Sequence, residues 1–114
     1  MRHAAVDEVI AALADPARRA VVDVLRRGPR RAGELAAAVR LSPARTSQHL
    51  RVLRTSGVIA ADGLGDDARV KLYRLLPAPF VTLGGWLDEV AKYWRLELAA
   101  FKAHAERARP RRRR

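Results

Sequence analysis

The sequence predicts a mainly α-helical domain that carries a small β-hairpin. Three observations lead there. Apolar residues recur every three or four positions over much of the chain, the period of a helix face. A capping residue followed by proline occurs at Asp15-Pro16 and again at Ser42-Pro43, and each pair marks a helix start. Between Val58 and Leu76 the helical period gives way to strand-like alternation around a turn.

The elements follow in order. A first helix from His3 to Ala14 carries Val6, Val9, Ile10 and Leu13 at helical spacing. A second starts at Asp15-Pro16 and runs to about Arg27, with Ala17, Val21, Val24 and Leu25 on one face; Gly28-Pro29 stops it. A short third helix near Ala32 to Val39 presents Leu35, Ala36 and Val39. Arg31 stands where a Ser or Thr cap is expected, so that cap is either weak or replaced by water. Arg40-Leu41 forms a tight connection. The fourth helix starts at Ser42-Pro43 and runs to about Thr55, with Thr46, Leu50 and Leu53 facing inward; Ser56-Gly57 ends it.

Val58 to Ala61 reads as a short strand, and Gly63 to Asp67 as a turn. Arg69 to Leu76 alternates, with Val70, Leu72 and Arg74 on one side and Lys71, Tyr73 and Leu75 on the other. Pro77 and Pro79 break the hairpin. A long last helix follows from Pro79 to Arg107. Leu83, Leu87, Val90, Trp94, Leu98, Phe101 and Ala105 form one stripe on it, and Trp86, Tyr93 and Ala100 a second. Residues 1–107 therefore read as one domain and 108–114 as a disordered basic tail.

Five helices with a two-stranded hairpin after the fourth make a winged helix-turn-helix. In that arrangement the third helix crosses a DNA backbone and the fourth enters the major groove. The outward positions of the fourth helix, Pro43, Ala44, Arg45, Ser47, Gln48 and Arg51, are then the expected base readers. Gln pairs with adenine, Arg with guanine, and Ala or Pro meets a thymine methyl. His49 is either a DNA contact or a partly buried structural histidine. The hairpin tip, Asp66 to Arg69, reaches towards a minor groove, where an Arg is attracted by the enhanced negative potential; Lys71 follows on the same strand.

Charge distribution agrees. The net charge of +11 is carried by residues 16–54, at +8, and by residues 107–114, at +6. Residues 1–15 stand at −2, 55–76 at 0 and 77–106 at −1. One basic block and one basic tail are what a polyanion footprint produces. The tail either adds non-specific DNA affinity or is a solvated appendage. Arg18 and Arg19 either touch phosphate or only cover the second helix.

Other functions are disfavoured by the same sequence. Three His, no Cys and no glycine-rich phosphate loop leave no visible catalytic set, so no enzyme is expected. Ser47 and His49 are two apart on a helix and point away from each other. The absence of Cys also removes disulfides and thiolate metal ligands. Neither a membrane-length apolar run nor a secretory signal is present, which makes the cytoplasm the expected compartment.

Several stretches together resemble the ArsR-type (arsenic-repressor-like) bacterial repressors. They are Leu13 to Arg19, Gly33 to Ala36, Leu41-Ser42 with Ser47 to Leu53, Gly57 to Ile59, and Arg69 to Leu75. Pro77 to Phe80, Trp86-Leu87 and Tyr93-Trp94 extend the match, which covers roughly residues 5–106. The resemblance implies a homodimeric repressor of double-stranded DNA that pairs through its first and last helices. Near-neutral helices suit that pairing, and the second stripe of the last helix is free for a partner. Val6, Ile10, Leu83, Leu87, Val90 and Trp94 are the expected interface, and an inverted-repeat operator follows from the two-fold symmetry.

The chain departs from the metal sensors of that family. Their third-helix Cys is missing, and the last helix offers only Asp88, Glu89, Glu97, His104 and Glu106. With no second His beside His104, no complete ligand set is visible, and neither a metal site nor a cofactor is expected. A metal-responsive sensor and a winged-helix module for protein or RNA remain the rival readings. The aromatic residues of the last helix fit packing better than a ligand pocket; a small-molecule effector is left open, without a name.

Overall fold

The computed structural model describes residues 4–64 and 67–108. Among them run α1 (Ala4–Leu13), α2 (Pro16–Leu25), β1 (Arg30–Arg31), α3 (Ala32–Val39), α4 (Pro43–Thr55), β2 (Ile59–Leu64), β3 (Asp67–Leu75) and α5 (Pro77–Ala108). The chain divides into two compact units, Met1–Leu83 and Gly84–Arg114. The turn residue Asp66 and nearly all of the expected tail, 109–114, lie outside the described residues.

The first unit is built around one apolar core. Val9 and Ala12 of α1, Val21, Val22 and Leu25 of α2, Leu35 of α3, Leu50 and Leu53 of α4, and Val58 with Ile59 are buried together. Tyr73 and Leu75 of the wing and Phe80 and Leu83 of early α5 pack against them. This decides the face of β3: the Lys71, Tyr73, Leu75 side turns towards the helices.

Local chemistry explains where the helices begin and end. Asp15 Oδ1 accepts from the Ala17 N–H at 2.7 Å, and Ser42 Oγ accepts from the Arg45 N–H at 3.2 Å. Each satisfies a donor left over in a first turn, and a proline follows each at N1. At α3 the expected weak cap is completed from the other side. Glu34 Oε1 accepts from the backbone N–H of Arg31 at 3.0 Å, the returning half of a capping box. The turn between α3 and α4 holds Arg40 in the left-handed region, at φ 57°.

At the end of α4, Gly57 has φ 77°, and the N–H groups of Gly57 and Val58 donate to Arg54 O and Leu53 O, both at 3.0 Å. These bonds form a Schellman closure that delivers the chain to the wing. A Cβ at Gly57 meets nothing within 4 Å, so a substitution there is opposed by the backbone conformation alone. Gly57→Ala is expected to cost about 1–2 kcal/mol, measured as a lowered urea midpoint at unchanged m-value.

The sheet departs from a two-stranded wing. Its order is β1-β3-β2, antiparallel throughout. The hairpin pairs Ile59 with Leu75 and continues to a bulge between Gly63 and Leu64, while Arg30 and Arg31 pair with Tyr73 and Leu72 on the other edge of β3. Two arginines carry no alternation, so β1 exists because β3 offers unpaired backbone groups there.

In the second unit, Gly84 to Ala108 continues α5 as helix. That helix opens at Pro77, two residues before the expected start. Pro77 and Pro79 sit in the first turn, where an N–H has no intrahelical acceptor, so they start the helix instead of preceding it. No helix among the described residues is long and apolar enough to cross a membrane.

Candidate nucleic-acid interface

Helix α4 presents two faces, and its sequence assigns them. Thr46, Leu50 and Leu53 are buried in the core. Pro43, Ala44, Arg45, Ser47, Gln48 and Arg51 are exposed, which puts the six expected readers on one outward surface. His49 is half-buried at the edge of that surface, and its Nδ1 lies 3.4 Å from Arg18 Nη1 on α2.

The wing closes one side of this surface. Ser47, Arg51, Arg54 and Thr55 of α4 and Lys71 and Tyr73 of β3 line a cleft of about 500 Å³. Among the described residues, three cations and no carboxylate stand in this wall, so the cleft carries a concentrated positive potential. The structure thus brings Ser47, Arg51 and Lys71 together. Arg54 and Thr55 are additions to the residues expected from sequence. The signal for Arg54 was present: Ser47, Arg51 and Arg54 follow the four-then-three spacing of one helix face. Arg69 is exposed on the same strand. Arg74 is excluded from this set of cations, because its Nε donates to Asp62 Oδ2 across the hairpin at 2.7 Å.

Arg18 and Arg19 spend donors on the backbone of their own chain. Arg18 Nε and Nη2 donate to the carbonyls of Ala12 and Ala11, and Arg19 Nη1 donates to those of Leu13 and Ala14. Both donate to carbonyls at the negative end of α1, the place where a helix favours a cation. A second, largely apolar cleft of about 560 Å³ lies against the other side of α4; Ala11, Ala12, Arg18, Arg51 and Val52 form much of its wall.

The residues expected at a dimer interface differ in exposure. Val6 is 4% exposed and is covered by its own chain, while Leu83 is half-buried against the core of the first unit. Val90 is half-buried. Ile10, Leu87 and Trp94 are 42%, 50% and 57% exposed, and Leu96, Leu98 and Phe101 are still more open.

The sequence of this region matches known proteins. The family model for bacterial regulatory proteins of the arsR family matches residues 15–61, from the cap of α2 into the wing. The HTH-type transcriptional regulator Rv2034 of Mycobacterium tuberculosis is 35% identical over 95 residues, which cover 83% of each chain.

The chain belongs to the ArsR family.

Solved structures agree with the assignment. This ArsR-family chain is similar to the ArsR family transcriptional regulator RHA00566, with 32% identity and a TM-score of 0.72 over 83% of this chain and 95% of that one. It is also similar to an ArsR-like transcriptional regulator from Rhodococcus sp. RHA1, with 29% identity and a TM-score of 0.74 over 90% of this chain and 94% of that one. The ArsR-family fold is therefore the expected winged helix-turn-helix, and the family and these relatives are transcriptional regulators, not enzymes.

Proposed function

We propose that this ArsR-family regulator is a homodimeric repressor that reads an inverted-repeat operator in double-stranded DNA without a metal effector. The observation that carries the reading is the outward row of α4, joined to Lys71 of the wing by a cleft walled with cations. Arg45, Gln48 and Arg51 read bases in the major groove, while Arg54 and Lys71 neutralise phosphates beside it. Arg69 follows the wing to the minor groove. The tail, 108–114, adds sequence-independent affinity. A lone domain of this size reads few base pairs, and the exposed apolar residues of α5 supply a way to pair two. Metal independence is the reading favoured by the lack of any Cys to supply a thiolate ligand.

Selection of bound duplexes from a random pool tests the reading. The expected result is a palindromic consensus whose half-sites lie one helical turn, about 34–36 Å, or a multiple apart. Recovery of unenriched sequence would reduce the protein to a basic, non-selective binder. Repeating the selection after chelation and then with added Zn²⁺ is expected to return the same consensus and affinity; a saturable loss on adding metal would favour the sensor reading instead.

A further inference from the structure

We infer that Arg18 is a positioning residue that locks the orientation of the reading helix α4 to the end of α1. The inference rests on the proposed reading of DNA by α4. Arg18 lies in the first turn of α2, and among the described residues its hydrogen-bond partner on α4 is His49. Its side chain is only 16% exposed. Nε donates to Ala12 O, Nη2 donates to Ala11 O at 3.2 Å, Nη1 lies 3.4 Å from His49 Nδ1 and donates to it in the tautomer that leaves that nitrogen without a proton, and Nη1 also stands 3.8 Å from Asp15 Oδ2. One guanidinium therefore ties three helices: the last turn of α1, the cap of α2 and the edge of α4.

The chemistry suits the task. A guanidinium is planar and presents its donors in a fixed fork, so the direction of one bond constrains the others. Here Nε and Nη2 are set by two successive carbonyls of α1, which leaves Nη1 aimed at His49. A lysine has a single flexible donor centre and cannot hold both ends in one geometry. Elsewhere α4 is seated by Thr46, Leu50 and Leu53, whose contacts in the apolar core are weakly directional. His49 directly follows Gln48 and lies one helical turn after Arg45, so its ring is the nearest handle on the reading row. Through Arg18 the rotation of that row is referred to α1, the helix whose Ile10 stands among the proposed pairing residues. The separation and relative rotation of the two reading helices in a dimer then depend on this link.

The test uses the full chain in three variants: Arg18→Met, which keeps the aliphatic stem, His49→Leu, and the two combined. Affinity is measured on the selected duplex, on a scrambled duplex, and on duplexes whose half-sites are moved one base pair apart or together. Each single variant is expected to lose about tenfold on the selected duplex and to stay within about twofold on the scrambled one, in the range of one charge-assisted hydrogen bond. Each should also accept the altered spacings that the wild type rejects. The double variant should be no worse than Arg18→Met alone, because the bond that His49→Leu removes is already gone. Unchanged selectivity, additive losses, or equal losses on both duplexes would overturn the assignment. If Arg18→Met fails to fold, His49→Leu keeps the question open to measurement, since it leaves the Arg18 bonds to α1 in place. Arg45→Ala and Gln48→Ala separate the two levels. If they abolish selectivity while the Arg18 and His49 variants do not, α4 reads DNA and the link is wrong; if all are silent, the reading itself fails.

Discussion

Leu87→Glu combined with Trp94→Glu is expected to yield a folded monomer that no longer binds its operator. The two residues are seven apart, so they share a face of α5, and both are about half exposed in the chain itself. Surface positions of that kind tolerate a carboxylate within one chain, usually within about 0.5 kcal/mol. In a dimer the same face is covered. Each carboxylate is then buried without a partner, at a cost of several kcal/mol per charge, and the apolar area that drove association is lost as well. The half-buried Val90 is left unchanged, because a carboxylate there strains the monomer and confuses the result. Sedimentation and circular dichroism check the outcome: halved mass with wild-type helicity, together with loss of the selective component of DNA binding. A wild-type protein that is already monomeric at micromolar concentration and binds a half-site selectively would refute the proposed assembly.

Arg45→Ala and Gln48→Ala carry the next largest effect. Each is expected to lower affinity for the selected duplex by about 1–3 kcal/mol, the worth of a good bidentate contact to one base. The signature lies in the pattern, not only the size. A reader loses discrimination at one position of the consensus, whereas a phosphate contact weakens every duplex alike. Both side chains are exposed on α4, and neither supports the core, so folding stability should hold. Competition against a panel of single-base variants of the operator distinguishes the two patterns. Equal loss across the panel would move both residues to the backbone-contact class and leave Arg51 to carry selectivity.

Much of the candidate site was legible because its causes are local. The inward Thr46, Leu50 and Leu53 and the outward row beside them follow from helical period alone. The starts of α2 and α4 follow from a capping side chain within three residues of the N–H it accepts from. Concentration of charge in residues 16–54 needs only counting. The misplaced start of α5 has a local cause too: Pro77 and Pro79 punctuate a chain whether they end one element or open the next, and only the path of the following residues separates the cases.

By itself the sequence determined the order and type of the principal elements, the two faces of α4 and the separation of basic from near-neutral segments. Tertiary structure alone decided the rest. β1 is a strand because β3 lies beside it, at a distance of some forty residues along the chain. Val6 is buried and Leu83 packs against the core, while Leu87, on the same stripe as Leu83, stays exposed; periodicity cannot say which members of a stripe meet the core. Arg18 and Arg19 looked equally suited to phosphate until the end of α1 arrived within reach of their donors. The bond from Arg18 to His49 spans 31 positions of sequence. Period and capping are short-range consequences of backbone geometry, whereas a long, many-donor side chain takes whichever acceptors the folded chain brings to it.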